Sequence, residues 1–237
     1  GLYVSMPARW FDDRWHASSS YLRVMNTEIA AEAHLRDGEP DLLYSFVGSA
    51  RSRLRRRMVQ IRDDRSVIED TSRFDFFNSH GAAIAAARRR YAVVTYRSKF
   101  ILCPRGAGTS SLRMYEAMEA GRTPVVLSDQ WVAPRGPEWT SAVVRVPERD
   151  VRRLPDLLRE LEQDWRSYAE AAYRIWSDWF SPAIVFHRTI SAVEKLLESR
   201  RAAACPMARR LSGMQAELIA RGILRPVRDA LRSALRP

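Results

Sequence analysis

The stretch from Ser98 to Trp131 constrains the fold more than any other part of this 237-residue chain. Phe100-Ile101-Leu102-Cys103 is a short apolar run ended by Pro104, the pattern of a strand buried on both faces of a parallel sheet. A glycine-rich loop from Pro104 to Thr109 follows, and Ser110 or Ser111 can cap a helix that ends at Gly121. Pro124 then opens a second apolar strand, Val125-Val126-Leu127. Strand, turn, helix and strand in this order predict an α/β fold, a Rossmann-like parallel sheet flanked by helices.

The same stretch carries the chemistry. A glycine-rich turn that delivers the chain to a helix N-terminus presents unpaired N–H groups and the positive end of the helix dipole, so it favours an anion. Arg105, Gly106, Ser110, Ser111 and Arg113 cluster there. An arginine in the first turn opposes the dipole, and a bound phosphate would explain its place. Glu116, three residues on, shares a face with Arg113. One arrangement that fits is Arg113 on a diphosphate and Glu116 on the ribose hydroxyls of a nucleotide. The competing arrangement is an exposed intrahelical ion pair in a turn that binds nothing.

Upstream, Leu42 to Val47 reads as a strand broken by Gly48-Ser49, followed by a helix rich in arginine at positions 51, 53, 55, 56 and 57. Arg55 to Arg57 are expected on a solvated face. Val67 to Asp70 reads as a short strand, Ala82 to Arg90 as a helix, and Tyr91 to Tyr96 as the end of that helix. Downstream, Asp129 follows a strand end, where open α/β sheets place ligands, and Glu148 follows another, Val143 to Val146. A helix is expected from about 151 to 163, then two amphipathic ones over 165–180 and 182–200. Their Tyr168, Tyr173, Trp176, Trp179 and Phe186 are expected in the core.

The ends differ from this middle. Trp10, Phe11 and Trp15 lie among Asp12, Asp13, Arg14 and His16; they read either as an acceptor-site lining or, by preference, as a linker packed on the domain. Asn26 to Arg36 looks helical. Residues 201–237 read as a basic, amphipathic helical tail that suits an anionic membrane surface, docking on another part of the molecule, or a loosely ordered segment. Three parts follow: 1–40 as a linker or partial N-terminal region, 41–200 as the binding domain, and the tail.

Net charge is +11, and only Lys99 and Lys195 among 39 basic residues are lysine. Such a surface favours anionic partners, but the aromatics are not interleaved with the arginines, so no nucleic-acid partner is expected. Two cysteines, Cys103 and Cys205, and four scattered histidines supply neither a disulfide framework nor metal-ligand spacing. No metal is expected. No apolar run is long enough to span a bilayer; on the arginine bias and the lack of a signal peptide a cytoplasmic location is expected, with membrane association through the tail.

Ser-Lys-Phe-Ile-Leu-Cys-Pro-Arg-Gly at 98–106, then Ser111 to Ala117, then Pro124 to Trp131 together resemble the exostosin family of glycosyltransferases in its C-terminal half. The similarity continues at Phe46 to Ser49, Trp139 and Glu148 to Asp150, covering roughly residues 40 to 198. It implies one half of a two-domain glycosyltransferase-B fold. It further implies inverting, metal-independent transfer from a nucleotide-sugar, expected to be a UDP-sugar, to a glycan or polysaccharide acceptor, with no cofactor besides the donor. On this reading Gly48 lets the backbone approach the ligand, Arg51 or Arg53 meets the diphosphate, and Asp129 touches sugar or acceptor.

Three positions depart from the family's pattern. Ala107 and Gly108 stand where more basic residues are usual, and Arg135 stands where an apolar one is. No catalytic base can be named, and about forty residues before Phe46 are too few for a second such domain. The expectation is a donor-binding half. A non-catalytic nucleotide- or glycan-binding module and a binder of nucleic acid or anionic surfaces are the alternatives.

Overall fold

The computed structural model of the chain describes residues 1–22, 26–74 and 81–201. The expected tail and Cys205 lie outside the described residues, as does His80.

Five parallel strands form the central sheet. After a small two-stranded sheet, β1 (Leu2–Tyr3) with β2 (Ala17–Ser18), and the short helix α1 (Glu28–Ala31), the chain enters β3 (Leu42–Gly48). It continues through α2 (Arg53–Met58), β4 (Ser66–Asp70), α3 (Ala82–Tyr96) and β5 (Ser98–Pro104). Next come α4 (Leu112–Glu119), β6 (Thr123–Leu127), β7 (Val144–Arg145), α5 (Leu154–Glu160), α6 (Trp165–Ile175) and α7 (Val185–Arg201). The strand order is β4-β3-β5-β6-β7. The chain leaves β3 toward one edge and returns to β5 on its other side, which opens a crevice outside the carboxyl ends of β3 and β5.

Strand alternation explains how one sheet serves two cores. Phe100, Leu102, Val125 and Leu127 pack with Leu54, Met58, Leu154, Leu158 and Trp165. Their neighbours Ile101, Cys103 and Val126 point the other way, onto Met114, Ala117 and Met118 of α4. β3 and β6 are buried along their whole length, as both-sided cover requires. Gly121, with φ of 64°, turns the chain out of α4, and Arg122 N donates to Ala117 O at 2.9 Å.

Several expectations needed correction. The helix expected over 26–36 is a four-residue helix followed by a 3-10 turn at Ala33–Leu35. The helix expected from 151 begins as a 3-10 segment, Glu148–Arg153. Of the aromatics expected in the core, Tyr168 and Trp176 are half-buried and pack against it, Tyr173 and Trp179 are half-buried, and Phe186 is 61% exposed; Trp165 is itself a core residue. No described helix is long and apolar enough to cross a membrane.

Candidate functional site

Outside the ends of β3 and β5 lies a cavity of about 360 Å³, lined by Asn26, Val47, Ser49, Arg55, Thr71, Arg88, Tyr91, Leu112, Arg113 and Glu116. Its size falls within the range of small-molecule sites. Three guanidinium groups face one carboxylate, so the lining is net positive.

Helix α4 positions two of these groups. Glu116 is 6% exposed, so the arrangement as an exposed ion pair with Arg113 does not hold. Burial pushes its carboxyl above the ordinary range, against the pull of the Arg113 charge and of Tyr91. Arg113 donates from Nε and Nη2 to Val47 O, at 3.0 and 2.9 Å, and its guanidinium lies 5.0 Å from the Phe46 ring centroid. The carbonyl at the end of β3 thus offsets the unfavourable helix dipole that a bound anion was expected to offset. Gly48 makes this contact possible: a Cβ there would stand 2.0 Å from Arg113 Nη2. What approaches the Gly48 backbone is this guanidinium.

Arg55 is the residue that sequence reasoning placed wrongly. It is half-buried, not solvated, and bridges the two loops of the crevice, donating to Ser49 O, Pro104 O and Arg105 O at 3.1, 3.0 and 3.1 Å. Burial, aided by repulsion from Arg113, brings its pKa down to about 10. Nothing in the run of arginines distinguishes Arg55 from Arg56 or Arg57, because two of its three partners are backbone atoms some fifty residues away. Tyr91 was likewise missed. Its side chain is half-buried beside Glu116, and its buried hydroxyl and that of Thr71 make no hydrogen bond among the described residues.

The remaining candidates fall into two other groups. Ser110 and Ser111 are buried at the N-terminus of α4, and neither hydroxyl makes a hydrogen bond among the described residues; Ser111 is the N-cap residue. The glycine-rich turn is itself covered by the chain's N-terminal segment. Ser110 N donates to Ser5 Oγ at 3.2 Å, Thr109 Oγ1 donates to Met6 O at 3.4 Å, and a Cβ on Gly108 would stand 2.7 Å from Ser5 Cβ. Gly106 packs beside the Arg55 guanidinium.

Arg105, Asp129 and Glu148 meet at the ends of β5, β6 and β7. Arg105 donates to both Glu148 carboxylate oxygens, at 2.5 and 2.9 Å, and Glu148 N donates to Asp129 Oδ1 at 3.0 Å. The hydrogen bond to Glu148 raises the Arg105 pKa. Arg51 stands apart, exposed, with Nη2 3.4 Å from Ser72 O, and Arg53 is exposed on α2. Among the described residues no group of three or more His, Cys, Asp or Glu side chains could hold a metal ion.

Comparison with known proteins adds the chemistry of relatives. Residues 9–161 match the Exostosin GT47 domain. The chain is similar to the Exostosin-1 homolog of Caenorhabditis elegans, 35% identical over 97 residues, covering 37% of this chain and 25% of the relative. It is similar to Exostosin-1 of Drosophila melanogaster, 30% identical over 112 residues, 46% of this chain and 14% of the relative. It is also similar to Exostosin-1a of Danio rerio, 33% identical over 97 residues, 40% and 13% of the two. The matched stretch therefore spans a quarter or less of these relatives' length. The family match extends over more than half of the chain, which belongs to the exostosin family of glycosyltransferases.

Proposed function

We propose that this chain is the donor-binding half of an exostosin-type glycosyltransferase, holding a nucleotide-sugar, a UDP-sugar by preference, in the cavity at the ends of β3 and β5. The observation that carries this reading is the buried Glu116 carboxylate set among Arg55, Arg88 and Arg113 in a cavity at the switch point of the sheet. A carboxylate held in such a place suits paired ribose hydroxyls, which both donate and accept. The surrounding guanidinium groups suit a diphosphate.

Transfer with inversion then runs in one displacement. The acceptor hydroxyl oxygen forms the new bond at the anomeric carbon as the bond from that carbon to the diphosphate oxygen breaks. The electron pair leaves with the diphosphate, whose charge the arginines of the crevice stabilise. The acceptor's proton passes to a general base, which on this reading belongs to a part of the enzyme outside the 237 residues. The stabilisation of the leaving group asks for no bound metal. Several arginines are already engaged within the chain, Arg122 with the buried Tyr96 carbonyl and, at the surface, Arg65 with Glu162 and Arg89 with Glu32; this supports an anionic small molecule over a nucleic acid as the partner.

Calorimetric titration with UDP and GDP tests the reading. Binding of either nucleotide is expected, weakened at least tenfold, about 1.4 kcal/mol, in Glu116→Gln and in Arg113→Lys, which keep the cavity filled. A folded wild-type chain that binds neither nucleotide, or variants that bind as well as wild type, would contradict it.

A further inference from the structure

A second and larger cavity, about 740 Å³, shares no lining residue with the donor crevice and lies between the segment Arg9 to Arg14 and the loop Val132, Ala133 and Arg135. Its walls are fixed to one another by contacts between residues far apart in the chain. Ala8 N donates to Gln130 O at 3.0 Å, Ser18 Oγ donates to Val132 O at 2.7 Å, and Arg135 pairs with Asp13. The cavity is thus built from the aromatic and acidic cluster near the N-terminus together with the loop that follows β6, at the carboxyl edge of the sheet.

The lining mixes two kinds of surface. Trp10 and Phe11, both half-buried, offer apolar ring area. Asp12 accepts from Arg14 Nε at 3.0 Å and Nη2 at 2.8 Å, and the pair of Asp13 with Arg135 lies largely in solvent, its side chains 58% and 73% exposed. Planar carboxylate and guanidinium groups set side by side offer adjacent acceptors and donors while nearly cancelling in charge. Neighbouring hydroxyls on a sugar ring need both, and the apolar face of the ring needs an aromatic surface. A phosphate would favour uncompensated arginine, which this lining does not concentrate.

We infer that the cavity between residues 9–14 and 132–135 is a saccharide-binding site that takes one or two rings of a neutral or singly acidic glycan. Its role as the acceptor side of the enzyme rests on the proposed transfer reaction. Its role as a saccharide site does not.

The test applies the fluorescently labelled 237-residue chain to a glycan array, with UDP calorimetry on the same preparations. Wild type is expected to be retained on a subset of printed glycans, and retention to fall at least fivefold in Trp10→Ala and in Asp13→Asn. Because the pair of Asp13 with Arg135 is largely exposed, Asp13→Asn is expected to lower the melting temperature only slightly, so a fivefold loss of retention in that folded variant separates binding from folding. A chain that binds UDP but no printed glycan overturns the inference alone, as does retention unaltered in both variants. Glycan retention lost in the variants of a chain that binds no UDP supports the saccharide site and removes the donor reading.

Discussion

At the scale of single residues, the site is organised by a contact between a helix side chain and a strand carbonyl. Arg113 holds Val47 O with two N–H groups and rests on Phe46, and it can do so only because residue 48 has no side chain. Gly48→Ala is therefore expected to displace the guanidinium and to destabilise the protein by about 1–3 kcal/mol, the usual cost of overpacking, with weaker UDP binding besides; thermal unfolding and calorimetry read the two effects. The buried carboxylates of α4 give a second expectation. Glu119, 7% exposed, has its pKa raised to about 7 by burial, then by Glu116, against the pull of Arg36. A raised carboxyl pKa means that the folded state holds the proton more tightly. The stability it contributes is fully present below the ordinary glutamate pKa near 4.5 and is lost as the pH rises to 7. Glu119→Gln is expected to raise the melting temperature at pH 8 and to change it little at pH 4; an equal shift at both would show that the side chain is not held protonated at low pH.

At the scale of elements, β5, α4 and β6 were legible because each carries a local signal: an apolar run for a doubly covered strand, a cap and a glycine for the helix, a proline and a second apolar run. Cys103 in a buried strand and Gly121 at the helix end followed from the same signals. What could not be read were contacts whose partners are backbone atoms distant in sequence. Arg55 resembles its neighbours in composition and differs only in reaching Ser49, Pro104 and Arg105 carbonyls. The glycine-rich turn resembles a phosphate cradle, yet Ser5 and Met6 lie over it. Gly108→Ala, whose Cβ would meet Ser5 at 2.7 Å, is accordingly expected to loosen the N-terminal segment while leaving the sheet intact. Hydrogen exchange should then quicken at residues 5–18 and stay unchanged in β5 and β6; protection retained at residues 5–18 would mean that Gly108 is not what seats the segment.

At the scale of the whole molecule, charge and topology converge on one edge of the sheet. The strand order β4-β3-β5-β6-β7 places the crevice between β3 and β5, and Arg55, Arg88 and Arg113 bring positive charge to it around a single carboxylate. The second cavity opens at the same carboxyl edge on the β6 loop, and the N-terminal segment that crosses the glycine-rich turn also builds that cavity's wall. The proposed donor crevice and the inferred saccharide site, on one edge, are what transfer between the two would require. The most direct test of this account is a crystal structure of the chain with UDP. Ribose hydroxyls at the Glu116 carboxylate and a diphosphate beside Arg113, in the cavity outside β3 and β5, are the predicted result. UDP seated elsewhere on the molecule, with that cavity empty, would contradict it.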